Sequence, residues 1–150
     1  MIVLDTTVLV YARGAEHPLR DPCLRLVDAV ADGVVQATTT AEMIQELVHV
    51  RARRRGRGDA VQLGNDYVDV LAPLLSTTVD DLRAGLELYG RLEGLGAFDA
   101  VLAATALGAG ATAMVSADRA FARVPGLAHV FPDESGVEGL VSAGDPPADR

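Results

Sequence analysis

Hydrophobic positions follow two rhythms along this chain. Brief apolar runs, too short for a helix, read as buried strands at residues 2 to 5, 34 to 38, 111 to 116 and 127 to 131, with Leu74 to Thr77 a further short one. Between them, apolar residues return every three or four positions. Thr6 and Thr7 open a short helix through Ala12; Asp21 as N-cap and Pro22 at the first helical position start another over 22 to 32. A helix from Thr39 or Thr40 runs to about Arg54, where Gly56 and Gly58 break it, and one over 59 to 72 has Asp59 as its cap and Pro73 beyond its end. Thr78 and Asp81 have capping-box spacing ahead of Leu82, Leu86, Tyr89 and Leu92, which line one helix face. After a turn at Gly94 to Ala97, a small-residue helix runs from Phe98 to about Gly108.

Strands alternating with helices predict an α/β fold, a mostly parallel central sheet flanked by helices on both faces. With 150 residues and neither a repeat nor a linker, the chain reads as one domain over 1–132. Residues 133–150, acidic and rich in Gly and Pro, read as a flexible tail.

Composition narrows the chemistry. Cys23 is the only cysteine, which excludes an intramolecular disulfide and a thiolate metal site and suits a reducing cytoplasm. The apolar start is interrupted by Asp5 and lacks a basic flank, so it reads neither as an export signal nor as a membrane span. A net charge of −8 argues against nucleic acid, but its distribution reopens the question. All 13 basic residues are arginine, and Arg51, Arg53, Arg54, Arg55 and Arg57 crowd into one segment. Such a patch either holds a phosphate backbone or is a solvated helix end whose cations complement the dipole.

Acidic residues carry the sharper signal. Asp5 and Asp118 end apolar strands, where open α/β sheets bind ligands, and Asp99 opens a helix. Each also has a local role available, as an N-cap or a first-turn anion, and a cap leaves one carboxylate oxygen for other work. Glu42 and Glu46 compete for a fourth place. Thr39 and Glu42 have capping-box spacing, whereas Glu46 lies about 40° from Val50 on the rim of the apolar arc and Glu42 about 80° away, at about 100° per residue. That geometry favours Glu46. Carboxylates gathered together repel unless protonated or neutralised by a cation. Oxygen ligands suit Mg²⁺, whereas His17, His49 and His129 match no ligand spacing. With no phosphate-binding glycine loop after the first strand and no Ser-His-Asp order, the remaining chemistry is metal-activated water attacking a phosphodiester.

In order, Ile2 to Ala12 with Asp5, Gln45-Glu46-Leu47-Val48, Phe98-Asp99-Ala100, and Val115-Ser116-Ala117-Asp118-Arg119 resemble the PIN domain, and within it the VapC-type ribonuclease toxins of bacterial toxin-antitoxin modules. The resemblance covers about residues 1 to 131. It implies a Rossmann-like fold, a Mg²⁺- or Mn²⁺-dependent endoribonuclease, a homodimer, and inhibition by a small cognate antitoxin. It carries the catalytic acids onto Asp5, Glu46, Asp99 and Asp118, the metal onto Asp5, Asp99 and Asp118, and hydroxyl support onto Thr6 and Ser116. Thr7 stands where many relatives have Asn or Ser. A haloacid-dehalogenase-type phosphatase would need an acid at that place. A DNA-directed nuclease of related fold and a non-catalytic binding module are the other readings.

Overall fold

The computed structural model describes residues 1–144, and it forms a four-stranded parallel sheet with helices on both faces. In chain order the elements are β1 (Ile2–Leu4), α1 (Thr6–Ala12), α2 (Arg20–Ala31), β2 (Ala37–Thr38), α3 (Ala41–Arg55), α4 (Arg57–Leu71), α5 (Val79–Arg91), α6 (Ala97–Gly108), β3 (Ala113–Val115), a 3₁₀ turn (Arg119–Arg123), β4 (Ala128–Val130) and α7 (Glu134–Gly144). The strand order is β2-β1-β3-β4, with Ile2 beside Ala37 on one side and Ala113 on the other. Chain direction across the sheet therefore reverses between β1 and β3, which places a crevice at their carboxyl ends.

Alternation along the strands divides the core in two. Ile2, Leu4, Ala113 and Val115 face α1, α2, α7 and the far end of α4, among them the buried Leu9, Leu26, Tyr67 and Val137. Val3 and Met114 face the opposite way, onto Ala100, Ala103 and Ala106 of α6 and onto Phe121. Small residues on α6 bring its backbone close to the sheet and to α5. A Cβ at Gly85 would come within 2.6 Å of the Val101 Cα.

Several local expectations give way to tertiary contacts. The tail expected from residue 133 instead forms α7 through Gly144: Val137 is fully buried, and Arg25 on α2 pairs with Glu134 at 2.7 Å and Glu138 at 3.3 Å. Residues 145–150 of that segment lie outside the described residues. The second strand shrinks to Ala37–Thr38 because the Val34 and Val35 N–H groups turn back to the Ala29 carbonyl. The strand expected at Leu74 to Thr77 amounts to a bridge from Leu75 to Thr40. Helix α2 starts before Asp21, at Arg20, and α4 starts before Asp59, at Arg57. Thr39 does not form a capping box with Glu42, since its hydroxyl donates to the Leu4 carbonyl at 2.7 Å, and α3 is N-capped by Thr40. The capping box of Thr78 and Asp81 is present.

On α5 the apolar face is only partly used. Leu82, Leu86 and Tyr89 are exposed; Leu82 and Leu86, with Val79 and the 79% exposed Phe98 of α6, line a groove of about 470 Å³ that also reaches Met43 and Glu42. Among the described residues no helix is long and apolar enough to cross a membrane.

Candidate active site

Four elements send acids into one cleft of about 530 Å³ at the crevice between β1 and β3: Asp5 after β1, Glu46 on α3, Asp99 on α6 and Asp118 after β3. Asp5 is the most enclosed, at 4% exposure, and a buried carboxylate needs donors. It has them. The Thr7 hydroxyl and the Ser116 hydroxyl each donate to Asp5 Oδ2 at 2.7 Å, and the Thr7 backbone N–H adds a longer bond of 3.4 Å as part of the α1 cap. Thr7 Oγ1 in turn accepts from the Ala117 N–H at 3.0 Å, and Ser116 Oγ accepts from the Asp118 N–H at 2.9 Å. This ring of bonds ties the end of β1 to the end of β3. Among the described residues every hydrogen bond to the carboxylate falls on Oδ2, so Oδ1 is left to the cleft.

Asp118 divides its oxygens in the same way, with Oδ1 accepting from the Ala120 N–H at 2.8 Å to cap the 3₁₀ turn. Glu46 is oriented by Thr6, whose hydroxyl donates to Oε2 at 2.9 Å. Glu42, one turn earlier on α3, lies instead in the apolar groove beside α5. Asp99 sits in the first turn of α6 and folds back over Gly96, where a Cβ would lie 3.0 Å from Oδ2; glycine there makes room for the carboxylate. Burial, and after it the charges of Asp5, Asp118 and Glu46, push Asp99 up to about 6, against a backbone bond from Gly96 that pulls it down. The four acids therefore share one electrostatic environment.

Among the described residues no trio of His, Cys, Asp and Glu is drawn together in a metal-binding arrangement. Gathered carboxylates repel one another, and a cation among them would relieve that repulsion. The donors are carboxylate and hydroxyl oxygens, the chemistry a hard divalent cation takes, so the residues fit such an ion.

The arginine cluster splits. Arg51 donates from Nε and Nη2 to the two oxygens of Asp59 at 2.7 and 3.0 Å, and from Nη1 to the Arg13 carbonyl at 2.6 Å. It is a brace between α3, α4 and the end of α1, which removes it from the expected phosphate contacts; Asp59 is its partner rather than a helix cap. Arg53, Arg54, Arg55 and Arg57 are exposed. Arg54 lines the acidic cleft, and both Arg54 and Arg55 line an adjoining groove of about 320 Å³ with Leu9, Val10, Leu47 and Leu63. Changing Arg53, Arg54 and Arg57 together to Gln should flatten the salt dependence of RNA binding by a slope of roughly 0.7 per lost phosphate contact. An unchanged slope would leave them a solvated helix end.

Thr7 is a site residue beyond Thr6 and Ser116, and its signal is local: an Asp with a hydroxyl residue two positions on is the pattern of a side chain bonding its own turn. Tyr11 and His17, also in the cleft, carry no sequence signal that sets them apart.

Comparison with known proteins agrees with this geometry. Residues 2–127 match the PIN domain family. The chain is 57% identical over 142 residues to Ribonuclease VapC7 of Mycobacterium tuberculosis, covering 94% of this chain and 98% of that one. It belongs to the PIN-domain family, among the VapC ribonucleases. Its fold is shared with the crystal structure of Mycobacterium tuberculosis VapC20, a sarcin-ricin loop cleaving toxin, at a TM-score of 0.68 and 18% identity over 81% of this chain and 93% of that one. VapBC2 of Rickettsia felis, solved bound to a DNA fragment from its promoter, superposes at 0.67 with 21% identity, over 86% of this chain and 97% of the other.

Proposed function

We propose that this chain is the endoribonuclease toxin of a type II toxin-antitoxin pair, acting in the cytoplasm on RNA with Mg²⁺ or Mn²⁺ at the acidic cleft. The observation that carries the reading is the convergence of Asp5, Glu46, Asp99 and Asp118 on one cleft, where burial and then the charges of the other three push Asp99 up to about 6. Asp5, Asp99 and Asp118 would hold the ion, with Glu46 alongside. Bound there, a divalent cation supplies Lewis-acid activation of water and neutralises charge on a phosphodiester. The chain's own residues do the rest. Thr7 and Ser116 fix Asp5 so that Oδ1 faces the cleft, Thr6 fixes Glu46, and Arg54 places positive charge where a phosphate backbone would enter.

Water as the nucleophile has a chemical signature. An RNA with a single 2′-deoxynucleotide at the cleaved position should still be cut, and no product should carry a 2′,3′-cyclic phosphate. A cut abolished by that one substitution would point to the neighbouring 2′-hydroxyl as nucleophile and count against this reading. Equal cutting of all-DNA strands would favour the DNA-directed nuclease.

The partners follow from two surfaces. The groove of Leu9, Val10, Leu47 and Leu63 adjoins the acids and would take an apolar antitoxin segment, with an antitoxin Arg pairing a cleft carboxylate. Exposed Leu82, Leu86, Tyr89 and Phe98 support a homodimer through α5 and the start of α6. Leu86→Arg should yield monomer in sedimentation, and an unchanged mass would exclude that face.

A further inference from the structure

We propose that His17, stacked on Tyr11 at the rim of the acidic cleft, is a platform for one base of single-stranded RNA; the inference rests on the ribonuclease reading. Tyr11 follows Thr7 by one helical turn on α1, so its ring rises on the side of the helix that faces the cleft. It is half-buried and packs against the core cluster. His17, in the loop before α2, lies over it with ring centroids 4.3 Å apart and planes inclined by 25°. The imidazole is also fixed at its edge, because Nδ1 accepts from the Leu19 N–H at 3.1 Å, which puts the proton of the neutral ring on Nε2.

The result is a two-ring stack with its inner member anchored in the core and its outer member exposed. One face of His17 is covered by Tyr11, and the other is open to a third flat ring. Among the described residues no other aromatic side chain lines this cleft. A cleft lined by five carboxylates, the four acids and Glu16, gives RNA little attraction by itself, and among the described residues Arg54 is the single arginine in its lining. Stacking supplies affinity that those charges do not oppose, and a ring already held in place loses little freedom on binding. The base so held would belong to a nucleotide next to the one whose phosphate meets the acids.

Binding of a labelled single-stranded RNA, followed by anisotropy in an Asp99→Asn background to prevent cutting, tests this with an abasic residue placed at each position in turn. One abasic position should weaken binding by roughly five- to a hundredfold, the worth of one stacked base. His17→Ala should weaken the intact RNA by a similar factor and make that abasic position indifferent, which is coupling rather than addition. Because His17 also bonds the Leu19 N–H, two controls separate ring from cap: His17→Phe keeps a ring and should bind almost as the parent, whereas His17→Asn keeps an acceptor and should bind as His17→Ala. Losses that multiply independently, or His17→Phe matching His17→Ala, would overturn the platform while leaving the ribonuclease intact. Failure to bind RNA of any sequence would overturn both.

Discussion

Asp99→Asn should abolish RNA cleavage and, in the same protein, abolish the rise in melting temperature that Mg²⁺ or Mn²⁺ gives the wild type. A bound ion at a hundredfold excess over Kd adds about 2.7 kcal/mol, or roughly 5–10 °C for a domain of this size. Losing several kcal/mol of charge stabilisation at the reacting phosphate costs on the order of a thousandfold or more in rate. Without metal, however, the variant should melt no lower than wild type. Asp99 is pushed up to about 6 by burial and its three acidic neighbours, so between about pH 4 and 6 the folded protein binds more protons than the unfolded chain. Metal-free stability therefore falls as the pH rises through that window, and above it the folded state carries a repelling charge. Asparagine removes the charge and keeps the shape and the bond from Gly96. A metal-free Asp99→Asn melting well below wild type at pH 7 would mean that the carboxylate is a structural group. Metal affinity should also weaken below about pH 6, where the proton competes for Asp99.

Ser116→Ala should be the second most damaging change, although Ser116 is neither acidic nor exposed. Its hydroxyl is fully buried, donates to Asp5 Oδ2 and accepts from the Asp118 N–H, so its loss strips one donor from a buried carboxylate and one acceptor from a backbone amide. Unsatisfied buried groups cost about 1–3 kcal/mol each, and removing a partner of a metal-binding group costs roughly 10–100-fold in metal affinity or activity. The variant should melt several degrees lower and cut more slowly at fixed metal, with part of the rate recovered at higher metal concentration. Thr7→Val should show the same pattern, because Thr7 shares Oδ2, while Thr7→Ser should be mild. If Ser116→Ala loses stability but keeps wild-type metal affinity, the hydroxyl serves the fold and not the site.

The contrast between Asp5 and Thr7 shows what the sequence made legible. An acid closing a short apolar run has few fates, so the strand, the crevice and the chain order of Asp5, Glu46, Asp99 and Asp118 could be read from pattern alone. Which hydroxyls complete the site could be read only in part: the Thr7 bond to Asp5 spans two residues and follows a local turn pattern, whereas the Ser116 bond joins residues 111 apart in the chain. Tertiary partners likewise decide the roles of Thr39, whose hydroxyl is drawn to the Leu4 carbonyl across the sheet, and of Arg51, whose charge is taken up by Asp59 on the next helix. Helix α7 had a signal in Val137, Leu140 and Val141 at helical spacing, masked by the surrounding glycines and acids. Its anchor, Arg25, lies on α2 and shows itself only in the fold. Apolar residues on α5 were legible as a face but not as an exposed one, since exposure depends on what else the sheet's helices cover.

Cleavage of a single-stranded RNA by the purified protein, followed with Mn²⁺ or Mg²⁺ and again in excess chelator, tests the central claim most directly. Hydrolysis that appears with the ion, stops with chelator and returns when the ion is restored is the predicted result. RNA cut equally well in excess chelator would contradict a carboxylate-held metal at Asp5, Asp99 and Asp118.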